Sequence, residues 1–502
     1  MKIEALINDL DTLLKTLIEK EKTFDNITKN VHADYKLSAK NLLRYLVLRS
    51  TDLRSYHGTL SDLGVSSLRS AEGYVFANLF NVVKHLYLLQ GKVFDLNPNV
   101  ELVGFTGSQQ LIRTHARTLF SKLENDNSTE IMVTLPNEAA SDINLIKSMI
   151  ESGMDIARIN LSHGDYKMWQ SMVNSIKELE QEIGKKIKIY MDLSGPKLRT
   201  SEINLIGRRG KVKNSIRVKV GEHIILAKDL NGYSDTASQN KKKHKKKVVE
   251  VMLHEVIEDA QIGEKVLFDD GMIRSTIVDK NKDYLELEIT ACYKEKIGSH
   301  KGINLPNTQL NLPALTEKDI EDLPFACKYA DLIGYSFVRT PEDVNTLYRQ
   351  LDKNKARDLG IVFKIENEQA FKNLPGILIK GMERNNIGVM IARGDLAVEI
   401  GFERISEVQN QILLICEAAH IPAIWATQVL ENLAKTGIPT RAEISDVVLS
   451  AQAECVMLNK GDYILNAIQV LKNILHRVEG QSFKNKNELR ALNVAQEFTK
   501  KL

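Results

Sequence analysis

Residues 360–366 read Gly-Ile-Val-Phe-Lys-Ile-Glu, and residues 387–395 read Ile-Gly-Val-Met-Ile-Ala-Arg-Gly-Asp. In each stretch an apolar run leads into charged side chains, which is typical of a buried parallel strand that emerges at a functional rim. The carboxylates of Glu366 and Asp395 suit a divalent cation held against a phosphate, and Lys364 can supply positive charge to phosphate oxygens. The pattern therefore predicts a phosphoryl-transfer site on a parallel barrel. A structural salt bridge near the strand ends is the alternative interpretation.

Further motifs occur in an order and spacing that match one enzyme family. They are Ala-Arg-Ile-Asn-Leu-Ser-His-Gly at 157–164, Met-Asp-Leu-Ser-Gly-Pro-Lys-Leu-Arg-Thr at 191–200, Lys-Gly-Ile-Asn-Leu-Pro at 301–306, Ala-Thr-Gln at 426–428 and Pro-Thr-Arg-Ala-Glu at 439–443. Together they closely resemble pyruvate kinase, from about residue 130 to about residue 475. The preceding part of the chain lies outside this resemblance.

The alternation of apolar segments with helical patterns predicts the α/β class, with a (β/α)8 TIM barrel. The predicted strands are 131–135, 156–161, 188–193, 331–338, 360–365, 387–392, 422–427 and 455–458. Between Thr200 and Asn304 the spacing breaks into short alternating segments, which predict an inserted β-rich lid domain. Pyruvate kinases carry a lid at this point, after the third strand. Helical patterns before the barrel predict an N-terminal α-helical region.

We expect the chain to divide into five regions. They are an N-terminal helical region with its linker (1–125), the first part of the barrel (126–200), the lid (201–303), the second part of the barrel (304–475) and a C-terminal helical tail (476–502). Residues 1 to about 95 carry no recognisable rim residues, so we expect them to serve association or docking, and a fragment from near Ser128 to fold and be active. Few residues follow Asp462, so we expect neither the usual C-terminal domain nor a response to sugar phosphates.

Composition is that of a large soluble enzyme. The chain has 502 residues, of which 43% are hydrophobic and 26% charged, and a net charge of +3, too small to imply a polyanionic partner. We interpret the lysine-rich run 241–247 as a solvated loop and not as a nucleic-acid site. Four scattered cysteines predict neither disulfides nor a zinc site, so we expect a cytoplasmic location. The first 22 residues predict an amphipathic helix, and no segment predicts a membrane partner.

The resemblance implies transfer of a phosphoryl group from phosphoenolpyruvate to ADP, giving pyruvate and ATP. It implies catalytic roles for Lys364 beside the transferring group, for Arg158 on the phosphate and for Thr427 on the protonation face of the enolate. Glu366 and Asp395 would bind Mg²⁺ or Mn²⁺.

Other groups of residues match binding positions of the family. The turn formed by Ala392, Arg393, Gly394 and Asp395 would bind the substrate carboxylate through its N–H groups. The residues matching the pocket for a monovalent cation are Asn160, Ser162 and Asp192, and those on the nucleotide side are Arg158, His163 and Lys301.

Several positions depart from the family's pattern. The family has Thr-Ile-Gly-Pro after strand one and Ser-Gly-Glu-Thr after strand eight, where this chain has Thr134–Asn137 and Asn459–Asp462. Both segments border the nucleotide rim. Potassium-dependent members have a threonine and a glutamate where this chain has Leu193 and Lys197. We therefore expect Lys197 to occupy the monovalent-cation pocket as a tethered charge, and potassium not to be required.

Two alternatives remain open beside an active pyruvate kinase, which we expect to be a homo-oligomer. One is a catalytically weak barrel that acts as a ligand-sensing or scaffold protein. The altered rim segments favour it, whereas the presence of Lys364, Glu366, Asp395, Arg158 and Thr427 argues against it. The other is a phosphoenolpyruvate-binding enzyme with a different acceptor, which the motif at 301–306 disfavours.

Overall fold

A computed structural model describes residues 3–96, 99–120, 129–203, 205–206, 212–229, 247–478, 482–484 and 486–487. They form a helical N-terminal region, a barrel and a β-rich lid. Residues 241–246 of the lysine-rich run and most of the predicted helical tail lie outside the described residues. Within the described ranges, every helix is too short or too polar to cross a bilayer.

Among the described residues, six α-helices precede the barrel. They are α1 (Ile3–Glu19), α2 (Glu21–Ile27), α3 (Lys36–Arg49), α4 (His57–Asp62), α5 (Val75–Leu89) and α6 (Phe105–Leu119). α1 is the predicted amphipathic helix: Leu6, Leu10, Leu14 and Leu17 recur at helical spacing and are fully buried. These leucines belong to the same continuous apolar cluster as the helices around the barrel, so the N-terminal region shares its core with the barrel.

The first three barrel strands alternate with two helices. In chain order the elements are β1 (Glu130–Thr134), α7 (Ile143–Ser152), β2 (Ile156–Asn160), α8 (Tyr166–Ile183) and β3 (Lys188–Asp192). Asp142 and Asp165 begin the two helices, and their carboxylates accept hydrogen bonds from backbone N–H groups of the first turn. Gly184 ends α8 with a φ of 72°, a backbone conformation that favours glycine.

The lid follows β3 and has an apolar core of its own. Its elements are β4 (Leu205–Ile206), β5 (Val212–Lys213), β6 (Ser215–Arg217), β7 (His223–Ala227), β8 (Lys247–Glu250), α9 (Glu255–Asp259), β9 (Lys265–Phe268), β10 (Ile273–Lys280), β11 (Tyr284–Cys292), β12 (Lys296–Gly298) and β13 (Ile303–Asn304). Six strands form one sheet in the order β13-β9-β10-β11-β7-β8. Burial alternates along β10 and β11, as the sequence pattern predicts.

The chain then completes the barrel. The elements are α10 (Glu317–Tyr329), β14 (Leu332–Tyr335), α11 (Pro341–Lys353), β15 (Gly360–Ile365), α12 (Glu368–Lys372), α13 (Leu374–Gly381), β16 (Ile387–Ala392), α14 (Arg393–Ile400), α15 (Ile405–Ala418), β17 (Ala423–Ala426), α16 (Glu431–Thr436), α17 (Arg441–Ser450), β18 (Cys455–Leu458) and α18 (Ile464–Val478). A hairpin of β19 (Ser482–Phe483) and β20 (Lys486–Asn487) follows. β18 pairs with β1 and closes eight parallel strands, so the predicted barrel with an inserted lid is confirmed.

The last turn of α6 fills the lower end of the barrel, where the strands begin. Leu119 and Phe120 are 0% and 1% exposed, and they belong to the same buried cluster as inward-facing strand residues such as Val362. Two glycines make room for Leu119. A Cβ at Gly360 would lie 3.0 Å from one methyl carbon of Leu119, and a Cβ at Gly388 would lie 2.5 Å from the other.

Polar contacts hold the N-terminal region in this place. The His420 ring lies 3.0 Å from Ser38 Oγ through Nδ1 and 2.8 Å from the Gly73 carbonyl oxygen through Nε2. Asn41 Nδ2 donates to the Ala418 carbonyl at 2.8 Å. This packing argues against the expectation that a fragment from near Ser128 folds alone, because removing the helices would expose the lowest layer of the barrel core.

We predict that Leu119→Ala lowers the free energy of unfolding by about 2–5 kcal/mol, the usual cost of removing a buried leucine side chain. Denaturant titration measures this change. Leu88→Ala is the matched control, because Leu88 is also helical but 56% exposed, and it should change stability by less than about 0.5 kcal/mol. Similar values for both variants would show that α6 does not fill the barrel.

A partly buried carboxylate joins the lid to the barrel. Asn304 Nδ2, in β13, donates to Glu399 Oε1, in α14, at 2.8 Å. Burial raises the pKa of Glu399 to about 7, against the opposing effect of this hydrogen bond, and the charge of Asp395 adds to the rise. The folded-state pKa is therefore above the unfolded value. Stability is greatest below the unfolded pKa and is lost as the pH rises through the folded pKa.

We predict that Glu399→Gln removes this loss of stability at high pH, because glutamine keeps the oxygen that accepts from Asn304 but carries no charge. In the metal-free protein at pH 8, the variant should be more stable than the wild type by on the order of 1–3 kcal/mol. Its advantage should shrink steadily as the pH falls from 8 to about 4.5. Thermal unfolding across this range is the measurement, and a pH-independent difference would contradict the assignment.

Candidate active site

The candidate site lies at the carboxyl ends of the barrel strands, the end at which (β/α)8 enzymes carry their active sites. The strands and their following turns bring together Arg158 of β2, Asp192 of β3, Lys364 of β15, Glu366 after β15, Asp395 of α14 and Thr427 after β17.

Asp192 forms ion pairs with two cations of the site, Arg158 and Lys364. Arg158 Nε donates to Asp192 Oδ2 at 3.0 Å, and its Nη2 contacts the same oxygen. Lys364 Nζ lies 3.4 Å from that oxygen. The other carboxylate oxygen, Oδ1, accepts a hydrogen bond from the Tyr190 hydroxyl at 3.0 Å. All four side chains are buried, so these charges interact with little screening by water.

This pairing keeps the three groups charged. Burial lowers the pKa of Lys364, but the charges of Asp192 and Glu366 outweigh it, so the pKa is raised. Burial likewise opposes charge on Arg158, and Asp192 outweighs it. For Asp192, burial raises the pKa, but Lys364 and Arg158 prevail and lower it. At neutral pH, the site therefore presents two cations around one carboxylate.

Glu366 and Asp395 form the acidic side of the site. Glu366 Oε1 lies 3.0 Å from Lys364 Nζ, and its Oε2 accepts from the Phe337 N–H at 2.7 Å. Burial raises the pKa of Glu366; the charge of Lys364 opposes this rise, and the charges of Asp395 and Asp192 add to it. Lys364 and Lys197 offset part of the repulsion between these carboxylates, and a small divalent cation would lower it further. The described residues contain no cluster of three or more acidic, histidine or cysteine ligands, so such a cation would need further oxygen ligands.

Lys197 differs from its expected place. Its ammonium donates to the two Asp395 carboxylate oxygens at 2.8 and 3.0 Å, on the acidic side of the site. The turn at Gly195, with a φ of 64°, and the following proline bring it to α14. Asn160 and Asp192 do lie beside each other in the register of β2 and β3. Asn160 Oδ1 accepts from the backbone N–H of the exposed residue Ser162 at 3.0 Å, whereas Lys197 pairs with Asp395.

The turn after β16 is held by its own contacts. The Arg393 guanidinium pairs with the Asp446 carboxylate at 2.5 and 2.8 Å and lies over the Trp425 ring, so this side chain anchors the start of α14. The Gly394 N–H, expected to bind a substrate carboxylate, donates to Thr427 Oγ1 at 2.7 Å. Thr427 has a φ of 64°, a costly conformation for a β-branched residue that is most often found at functional sites. Buried Ala392 ends β16.

A cationic cavity of about 320 Å³ lies beside Arg158. Its lining includes Thr134, Asn137, Asn160, His163, Asn459 and Lys460. Burial lowers the pKa of His163, and the positive charges of Lys460, Arg199 and Arg158 lower it further. Thr134 and Asn137 belong to one altered rim segment, and Asn459 and Lys460 belong to the other, so both segments border this cavity. Lys301, expected on the same side, lies in the lid with its Nζ 3.2 Å from Asp269 Oδ1.

The roles of four residues of the site were not predicted from the sequence, although two of them, Thr134 and Lys460, belong to the altered rim segments named there. Thr134 Oγ1 accepts from Arg158 Nη1 at 2.8 Å, and Ser336 Oγ accepts from Lys364 Nζ at 2.8 Å. Tyr190 contacts Asp192, and Lys460 lies near His163. The signal for Tyr190 was its position two residues before Asp192, which places both side chains on the inner face of one strand. Thr134 and Ser336 could have been found as polar residues at strand ends.

Comparisons with known proteins agree with this architecture. The family described as pyruvate kinase, barrel domain, matches residues 126–468. A pyruvate kinase of Bacillus licheniformis is 33% identical over 359 residues, which are 70% of this chain and 57% of that protein. The chain thus spans little more than half the length of that relative.

Two further comparisons cover more of the matched protein. A pyruvate kinase of Dictyostelium discoideum is 33% identical over 379 residues, 73% of this chain and 70% of that protein. The crystal structure of a pyruvate kinase from Cryptosporidium parvum superimposes with a TM-score of 0.60 at 26% identity, over 72% of this chain and 70% of that one. The chain belongs to the pyruvate kinase family.

Proposed function

We propose that the chain transfers the phosphoryl group of phosphoenolpyruvate to ADP, giving pyruvate and ATP. The observation that carries this proposal is the pair of buried, charged cations Arg158 and Lys364 at the barrel rim, next to the carboxylates Glu366 and Asp395. Phosphoryl transfer depends on positioning and on stabilising negative charge, and this arrangement provides both.

Each residue has a defined role in this proposal. Arg158 binds the phosphate through the planar donors of its guanidinium, and Lys364 stabilises the charge that builds on the group in transfer. Thr427 faces the enolate, and the hydrogen bond from Gly394 fixes its hydroxyl. The cavity lined by His163 and Lys460 receives the phosphates of the nucleotide, because its positive charges suit them. Lys301 reaches this nucleotide only if the lid brings it closer.

We propose Mg²⁺ or Mn²⁺ as the cofactor, held by Glu366 and Asp395. When bound, such an ion polarises phosphate and enolate oxygens. The Lys197 ammonium contacts both oxygens of Asp395, so it would share this carboxylate with the ion and compete with it electrostatically. The remaining expectations, a homo-oligomer in the cytoplasm with no nucleic-acid or membrane partner, stay predictions.

A catalytically weak barrel with a ligand-sensing role is the second candidate. Two contacts favour it: Lys197 occupies the Asp395 carboxylate, and Thr427 occupies the Gly394 N–H. The assay of pyruvate formation with phosphoenolpyruvate, ADP and magnesium separates the two candidates directly. Ligand binding without turnover would favour the second.

We predict that Lys364→Met lowers phosphoryl transfer at least ~100-fold, because it removes a charge directed at the transferring group. The same variant should still exchange the methyl protons of added pyruvate with solvent, because Glu366 and Asp395 remain. Pyruvate formation and deuterium exchange followed by NMR are the two measurements.

Glu366→Gln is the matched comparison for this prediction. It removes a proposed metal ligand, so it should lose transfer and proton exchange together, and it should weaken Mn²⁺ binding measured by electron paramagnetic resonance. Circular dichroism verifies that both variants are folded. Retained transfer in Lys364→Met would remove this lysine from its role.

We also propose that catalysis does not require potassium, and we predict near-full activity without it. Asp192 is already neutralised by Arg158 and Lys364, and Leu193 has no side-chain oxygen to offer a cation. The assay uses buffer free of sodium and potassium, with a bulky organic cation to hold the ionic strength. The double variant Leu193→Thr, Lys197→Glu is the contrast: it adds oxygen atoms, removes the ammonium that neutralises Asp395 and should acquire a dependence on a monovalent cation. A large rise in wild-type activity on adding potassium would contradict the proposal.

A further inference from the structure

Tyr190 lies directly below the two cations of the candidate site. It precedes Asp192 by two residues in β3, so both side chains point into the barrel. Its ring is fully buried, and its hydroxyl donates to Asp192 Oδ1 at 3.0 Å. Burial and then the charge of Asp192 raise the pKa of Tyr190 well above its usual value. The hydroxyl therefore stays protonated and remains a hydrogen-bond donor.

The two oxygens of Asp192 have different partners. Oδ1 faces Tyr190, whereas Oδ2 faces Arg158 at 3.0 Å and Lys364 at 3.4 Å. The terminal torsion of an aspartate has only a weak preference of its own, so its carboxylate plane is set by its hydrogen bonds. With one oxygen tied to Tyr190, the other is directed at the two cations.

The neighbouring strand leaves space for this hydrogen bond. Gly334 of β14 pairs with Asp192, and a Cβ at Gly334 would lie 2.0 Å from the Tyr190 hydroxyl oxygen and 2.2 Å from Asp192 Oδ1. Any larger residue would push the two groups apart. Tyr190 and Gly334 therefore act as one unit, contributed by two adjacent strands.

We propose that Tyr190 is a positioning residue of the phosphate site: its hydroxyl fixes the Asp192 carboxylate, which in turn holds Arg158 and Lys364 in the orientation that binds and transfers a phosphoryl group. This inference rests on the proposed function for its catalytic part. The part that concerns phosphate binding is argued from the positions of Arg158 and Lys364 around Asp192.

The test replaces Tyr190 by phenylalanine, which removes one oxygen and keeps the ring. Two quantities are measured: kcat and KM for pyruvate formation, and the affinity for inorganic phosphate by ³¹P NMR titration in the absence of nucleotide. We expect kcat and phosphate affinity each to fall about tenfold, as for the loss of one hydrogen bond to a charged group. Arg158→Gln, which should abolish the phosphate response, verifies that the titration reports on this site.

Tyr348→Phe is the matched control. Tyr348 is also a buried tyrosine, and its hydroxyl donates to the Gly381 carbonyl oxygen at 2.6 Å, among the helices around the barrel. Both variants lose one buried hydrogen bond, so both should unfold at a lower temperature. Only Tyr190→Phe should lower kcat and phosphate affinity, and Tyr348→Phe should leave both within about twofold of the wild type.

The possible outcomes distinguish the positioning role of Tyr190 from the proposed phosphoryl transfer. Unchanged kcat and phosphate affinity in a folded Tyr190→Phe would overturn the proposal and leave Tyr190 as a core residue. A tenfold loss of phosphate affinity in a protein whose wild type shows no transfer would sustain the positioning role and refute the proposed function. If Tyr190→Phe does not fold, Gly334→Ala decides instead, because its methyl group displaces the same hydrogen bond. Wild-type affinity and kcat in that variant would equally overturn the proposal.

Discussion

The site depends on one buried carboxylate. Asp192 contacts both Arg158 and Lys364 at the centre of the barrel mouth, and without it these two largely buried positive charges would have only the Glu366 carboxylate between them. The Coulomb energy of such a pair is strong where solvent is excluded, so the positions of both cations follow the position of that carboxylate. The two carboxylates of the acidic side are also paired with cations: Glu366 pairs with Lys364, and Asp395 pairs with Lys197. Each charge of the centre is thus paired with an opposite charge, from the same strand end for Lys364 and Glu366 and from other strands or turns for the remaining pairs.

The barrel makes this arrangement possible because it fixes strand ends relative to each other. Arg158, Asp192 and Lys364 come from three strands, and the closed hydrogen-bonded ring sets their spacing. The interior below them is packed in layers, down to Leu119 and Phe120 of the N-terminal region. Tyr190 belongs to that packed interior and also contacts Asp192. The N-terminal helices are therefore part of the support of the barrel and not an appended module.

The sequence predicted those features of the fold that local patterns of apolar and polar residues determine. The strand carrying Lys364 was found from its apolar run, with the same bounds as in the structure. The barrel followed from repetition of such runs, and the lid from the short alternating segments that interrupt them. The pairing of Lys197 with Asp395 joins residues far apart in the chain, and no periodicity reports it. The sequence also did not predict that Leu119 lies inside the barrel. The space for its side chain exists because Gly360 and Gly388, which are distant in the chain, have no side chains. Contacts of this kind depend on tertiary packing, which local propensity does not encode.

The cost of the charge cluster bears on the choice between an enzyme and a scaffold. Burying ion pairs is paid for by desolvation, and well-packed apolar residues of similar volume are often as stable or more stable. A barrel that served only as a scaffold would gain nothing from Arg158, Lys364, Asp192 and Glu366 in its mouth. The left-handed backbone at Thr427 adds a further local cost, of about 1–3 kcal/mol. A site that concentrates several unfavourable terms around two buried cations argues for an anionic ligand there, because stability alone would favour replacement of these residues.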